Sequence, residues 1–106
     1  MLGAAADKHV VIQLLYFPGC PHVEAARRQL SQALSRLANP PHVTEVDVTD
    51  PSTPLHLRSW GSPTILVDGA DVALGVPTGR SCRIYPGSET DGVAPMATIE
   101  AALRRR

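Results

Sequence analysis

Apolar residues run from Val10 to Phe17 with a single polar interruption at Gln13. A run this dense, without alternation, predicts a strand covered on both faces, as in the middle of an α/β sheet. Pro18-Gly19-Cys20-Pro21 breaks it. Val23, Ala26, Leu30, Ala33, Leu34 and Leu37 then recur at helical spacing, with Glu24, Arg27, Arg28, Gln32 and Arg36 on the other face. This predicts an amphipathic helix, with Pro21 suited to its first turn and Asn39-Pro40-Pro41 as its stop. Thr44, Val46 and Val48 alternate with Val43, Glu45 and Asp47, the pattern of a second strand with one face more exposed. A short helix is expected from Thr53, with Pro54 in its first position and Leu55 turned inward, before Trp60. Thr64 to Val67 reads as a third strand. Asp68-Gly69 signals a hairpin turn leading to a fourth strand at Val72 to Leu74. Gly75 to Val93, rich in Gly, Ser, Thr and Pro, is expected to be a long loop, and loops of that length more often serve function than connection. Met96, Ile99 and Leu103 space out a last helix, with Pro95 near its start and arginines at its negative end.

The element order is therefore βαβ-α-ββ-α. One parallel crossover followed by an antiparallel hairpin predicts an α/β fold with a four-stranded mixed sheet flanked by helices. The 106 residues suit one domain over 1–106, with its core within about 10–104. Ten basic and ten acidic residues cancel, which removes any general attraction to nucleic acid or anionic lipid. Arg104 to Arg106 are too short a basic run to change this. No apolar stretch approaches about 18 residues, so no membrane helix is expected. Met1 to Lys8 lacks the basic start and cleavage site of a secretory signal. Two cysteines cannot form a disulfide framework. A cytoplasmic, reduced chain follows, with thiols that are either core fillers or reactive groups. His9, His42 and His56 are dispersed without metal-ligand spacing, so neither a metal nor another cofactor is expected.

Cys20 stands where a buried strand hands over to a helix, in the position that would cap that helix. A sulfur there would face the N–H groups of His22 and Val23 and the positive end of the helix dipole. Both favour the thiolate, the form that attacks electrophiles. His22 could add positive charge or pass a proton, with Glu24 acting against it. The plainer alternative is that Cys20 is a small apolar residue at a tight turn. Gly61-Ser62-Pro63-Thr64 raises a second question, because a proline entering a strand removes a ladder donor. A cis bond between Ser62 and Pro63 would turn the chain and leave Ser62 backbone groups free for a guest strand. The alternative is an ordinary trans proline at the first strand position.

Together these features resemble the thioredoxin superfamily. The nearer likeness is to small thioredoxin-like proteins with a Tyr-Phe-x-Gly-Cys-Pro start, a Gly-Ser-Pro-Thr-Ile-x-Val-Asp-Gly centre and a Cys-Arg-x-Tyr segment. Here these are Tyr16 to Pro21, Gly61 to Gly69, and Cys82-Arg83-Ile84-Tyr85. Such proteins carry the labels thioredoxin family or alkylmercury lyase. The resemblance implies a thioredoxin-like fold, thiol redox chemistry at Cys20 assisted by His22, and a substrate groove at Ser62, Pro63 and Thr64. It implies as partner a disulfide-containing protein or a low-molecular-weight thiol.

The departure from the thioredoxin pattern lies in Cys20-Pro21-His22-Val23. Thioredoxins place a second cysteine where Val23 stands, so a dithiol mechanism confined to this turn is excluded. Resolution of an intermediate would fall to glutathione, another protein, or Cys82. Cys82 lies between Arg80 and Arg83, whose guanidinium groups would lower its pKa. Pairing with Cys20 would require Cα atoms within about 7 Å. Otherwise Cys82 anchors the long loop. Trp60 reads as core, and Arg58 and Arg80 as either solvated or carboxylate-binding groups. Two further functions compete with redox chemistry. Cys20 and Cys82 could handle a soft metal or organomercurial as a pair of thiolates. Alternatively, a catalytically silent adaptor would use only the groove.

Overall fold

The computed structural model describes residues 10–37, 39–74 and 93–105. Four strands form one sheet in the order β2-β1-β3-β4. Strand β1 (Ile12–Tyr16) pairs in parallel with β2 (Val43–Asp47) and antiparallel with β3 (Thr64–Val67), and β3 pairs antiparallel with β4 (Ala70–Asp71). Helix α1 (Val23–Ser35) makes the β1–β2 crossover, α2 (Leu55–Arg58) connects β2 to β3, and α3 (Met96–Arg105) follows β4.

The two central strands are buried on both faces, which is why β1 carries a continuous apolar run. Ile12 and Leu14 of β1 join Ile65 and Val67 of β3 beneath α1 and α3, where Ala26, Leu30, Ala33, Ile99 and Ala102 close the core. Leu15 and Leu66 point the other way and pack with Val48, Leu57 and Trp60. Edge strand β2 divides its valines in the same way: Val43 packs on the first cluster and Val46 on the second. Arg27 of α1 bridges to this edge by two hydrogen bonds to Glu45, at 2.6 and 2.9 Å, and also pairs with Glu24.

Several boundaries differ from the expectation. Strand β1 begins at Ile12 rather than Val10, because the Val11 backbone bonds the turn residue Asp68 instead of a strand: its N–H reaches the Asp68 carboxylate at 2.9 Å. Helix α1 stops at Ser35, leaving Leu37 on the surface. In α2 the inward residue is Leu57, while Leu55 is 74% exposed. The Thr53 hydroxyl donates to the Asp47 carbonyl at 2.7 Å and tethers the start of this single turn. At about 100° per residue, Leu55 and Leu57 then point to opposite sides.

The fourth strand begins at Ala70, not Val72. Asp68 (φ 52°) and Gly69 (φ 85°) are both left-handed, the two-residue turn that sends the chain straight back, so Ala70 already faces Val67. Val72 still donates to the Ile65 carbonyl at 3.0 Å, after which the chain turns and Leu74 is left 68% exposed. Residues 75–92 of the predicted long loop, with Arg80, Cys82, Arg83 and Tyr85, lie outside the described residues, as does His9. Among the described residues no helix is long and apolar enough to cross a membrane.

Candidate functional site

The end of the sheet where β1 stops and β3 starts is built by two short segments held against each other. In the first, Phe17-Pro18-Gly19-Cys20 forms a turn closed by the Cys20 N–H donating to the Phe17 carbonyl at 3.2 Å. Gly19 at φ +90° supplies the left-handed residue, and Pro18 ahead of it gives the usual pairing for a type II turn. The second segment is Gly61-Ser62-Pro63-Thr64, in which the Ser62–Pro63 peptide is cis.

Ser62 grips both ends of the first turn. Its hydroxyl accepts the Phe17 N–H at 3.3 Å, and its carbonyl accepts the Cys20 thiol at 3.6 Å. The Thr64 hydroxyl donates to the Gly61 carbonyl at 2.6 Å and pins the second segment from within. Ser62, Pro63 and Thr64 are all buried, whereas Cys20 is half-buried. A half-buried cysteine held over a buried segment is an arrangement suited to chemistry at sulfur.

One expectation changes. Cys20 does not cap α1. The cap is His22, in helical conformation at φ −102° and ψ −1° with no side-chain cap bond, and Val23 is the first helical residue. The Pro-Gly turn closes at Cys20 and aims its thiol at Ser62 instead of at the helix N–H groups. The Ser62 carbonyl accepts the Cys20 thiol, one of the two bonds that a carbonyl oxygen can take. The structure thus joins Cys20 to Ser62 and places His22 two residues farther along the chain. Cys82 lies outside the described residues.

Sequence reasoning overlooked Phe17, whose backbone N–H and carbonyl anchor the turn; the Pro18-Gly19 pair was the available signal. It also left open the environment of Arg58, whose Nε is buried. Spacing carries no sign of that. A groove of about 380 Å³ between α1 and β2, lined by Leu30, Leu34, Pro41 and Val43, includes neither Cys20 nor Ser62. Among the described residues no group of three His, Cys, Asp or Glu side chains is placed to hold a metal ion.

The architecture is shared with a protein of known structure. A crystal structure of chloroplastic thioredoxin z is similar at a TM-score of 0.58 and 21% identity, covering 98% of this chain and 83% of that one. The fold is thioredoxin-like. No family model and no curated protein matches the sequence. On this thioredoxin-like frame Leu15 of β1 lies opposite Thr64 of β3, which brings the residues after one strand beside those before the other.

Proposed function

We propose that the chain is a thiol–disulfide exchange protein in which Cys20 is the attacking sulfur. The observation that carries this reading is the half-buried Cys20 thiol held 3.6 Å from the Ser62 carbonyl at the end of a thioredoxin-like sheet. In the first step the Cys20 thiolate attacks one sulfur of a substrate disulfide, and the other sulfur leaves as a thiolate. The product is a mixed disulfide on Cys20. His22 takes the thiol proton and returns it to the leaving group. Val23 cannot resolve this intermediate. A low-molecular-weight thiolate therefore attacks the substrate sulfur of the mixed disulfide, so that the Cys20 thiolate leaves and the substrate half departs as a new disulfide with the small thiol. Cys82 is the intramolecular alternative: its attack on the Cys20 sulfur would release the substrate thiolate and leave a Cys20–Cys82 disulfide, which the small thiol then reduces. Ser62, Pro63 and Thr64 form the wall against which the substrate lies, and a substrate backbone would compete with the Cys20 thiol for the Ser62 carbonyl. The partner is a disulfide-containing protein or a small disulfide, in a reducing compartment such as the cytoplasm.

The test is reduction of a protein disulfide in the presence of a low-molecular-weight thiol, with wild type compared with Cys20→Ser. The wild type should accelerate the reaction above the small thiol alone, and the variant should not. Full activity in Cys20→Ser, or no acceleration by the wild type, would remove the reading.

A further inference from the structure

We propose that Arg58 selects anionic, carboxylate-bearing substrates for the Cys20 site. This rests on Cys20 as the reacting thiol. Arg58 is the last residue of α2, and its Nε is fully buried without a hydrogen-bond partner among the described residues. A guanidinium is charged at every relevant pH, and its fork of donors suits a carboxylate. The other arginines in described ion pairs, Arg27 and Arg36, are matched to Glu24, Glu45 and Glu100. Arg58 has no such match among the described residues.

Its position links it to the site. Leu57 and Trp60, on either side of it, pack in the cluster that also holds Phe17, the residue that opens the Cys20 turn. The Trp60 N–H turns back to the Leu57 carbonyl at 3.5 Å, and the chain then enters Gly61 and Ser62, whose carbonyl meets the Cys20 thiol. Ser62 lies four positions after Arg58, so their backbones are within about 14 Å. A substrate wide enough to lie from the sulfur towards α2 would bring a carboxylate to the guanidinium. The terminal donors of the half-buried Arg58 guanidinium would take that carboxylate, because the buried Nε itself is out of a substrate's reach.

The experiment uses two small aromatic disulfides, the anionic dithiobis(nitrobenzoate) and the neutral dithiodipyridine, on a Cys82→Ser background so that only Cys20 reacts. Each forms a mixed disulfide on Cys20 and releases one chromophoric leaving group, the thionitrobenzoate anion or, after protonation, the neutral pyridinethione. The ratio of the anionic to the neutral rate constant is compared between proteins, which cancels the intrinsic reactivity of each reagent. Arg58→Gln should lower that ratio about threefold to fivefold, the range of a partly exposed charge pair. Arg58→Lys, which keeps the charge and loses Nε, should retain part of it, and added salt should erase the wild-type preference. An unchanged ratio in Arg58→Gln, or equal losses with both reagents, would overturn the role of Arg58. If Cys20 of the wild type reacted with neither reagent faster than a free thiol, the exchange reading itself would fail, a result separate from either of those. Circular dichroism establishes that each variant is folded, and the Lys variant supplies the comparison if Gln unfolds.

Discussion

The two ends of the sheet solve the same problem differently. At one end, Asp68 and Gly69 reverse the chain in the tightest turn available, and the Asp68 carboxylate takes the Val11 N–H while its own N–H bonds the Val11 carbonyl at 2.8 Å. At the other end, Pro18 and Gly19 make an equally tight turn, yet the group placed against the opposing segment is a thiol. Both turns use a left-handed glycine with open space where a side chain would begin. A carboxylate bonded to a backbone N–H locks the hairpin end. A thiol is a weak donor, and its bond to the Ser62 carbonyl can be exchanged for a bond to a substrate at little cost. Two different tight turns, one with two left-handed residues and one with Pro18 before a left-handed Gly19, therefore build a latch at one end and hold the candidate thiol at the other.

The largest effect that would break this contrast is on activity. Cys20→Ser should reduce disulfide exchange to background and leave the thermal midpoint nearly unchanged, measured by turnover and calorimetry. Large stability losses belong to the core that both ends share. Leu14→Ala, in a fully buried position between β3 and the helices, should cost about 2–5 kcal/mol in a denaturant titration. Gly69→Val at φ +85° should cost more than about 1 kcal/mol through backbone strain, without altering the alkylation rate of Cys20. A changed rate would mean that the two ends are coupled. Val23→Cys sharpens the other side of the contrast. It should form an intramolecular disulfide with Cys20 on mild oxidation, seen as a two-hydrogen mass loss, and raise dithiol reductase activity.

The smallest effect concerns the edge strand. The hydrogen bond from Arg27 lowers the Glu45 carboxyl below its ordinary range, partial burial opposes this, and the guanidinium charge adds to the lowering. A depressed acid stabilises the fold above the unfolded value of about 4.3, and that contribution disappears as pH falls through the lower folded value. The pair is more than a third exposed, so the loss should stay below about 1 kcal/mol. Glu45→Gln should remove that part of the acid slope in denaturant titrations across this range.

Much of this was present in the residue pattern. The unbroken apolar run of β1 required cover on both faces, and the sheet supplies it by sending Leu14 and Leu15 into different clusters. Asp68-Gly69 named its own turn, because few residues tolerate two successive left-handed positions. Local chemistry of this kind depends on a few adjacent residues, so it is legible from them. The inward residue of α2 was not, because it depends on a phase shift of two positions that a tether outside the helix decides, as Thr53 does through the Asp47 carbonyl. Residue order also marked Cys20 as the candidate for chemistry, but not what the sulfur touches. Cys20 and Ser62 are 42 positions apart, and Arg58 loses solvent at Nε only when α2 docks. Contacts across that separation depend on how the sheet pairs β1 with β3 and how tightly the helices pack. The sequence alone thus determined the strand and helix periodicities and the turns, while tertiary packing decided the partner of the thiol and the burial of the arginine.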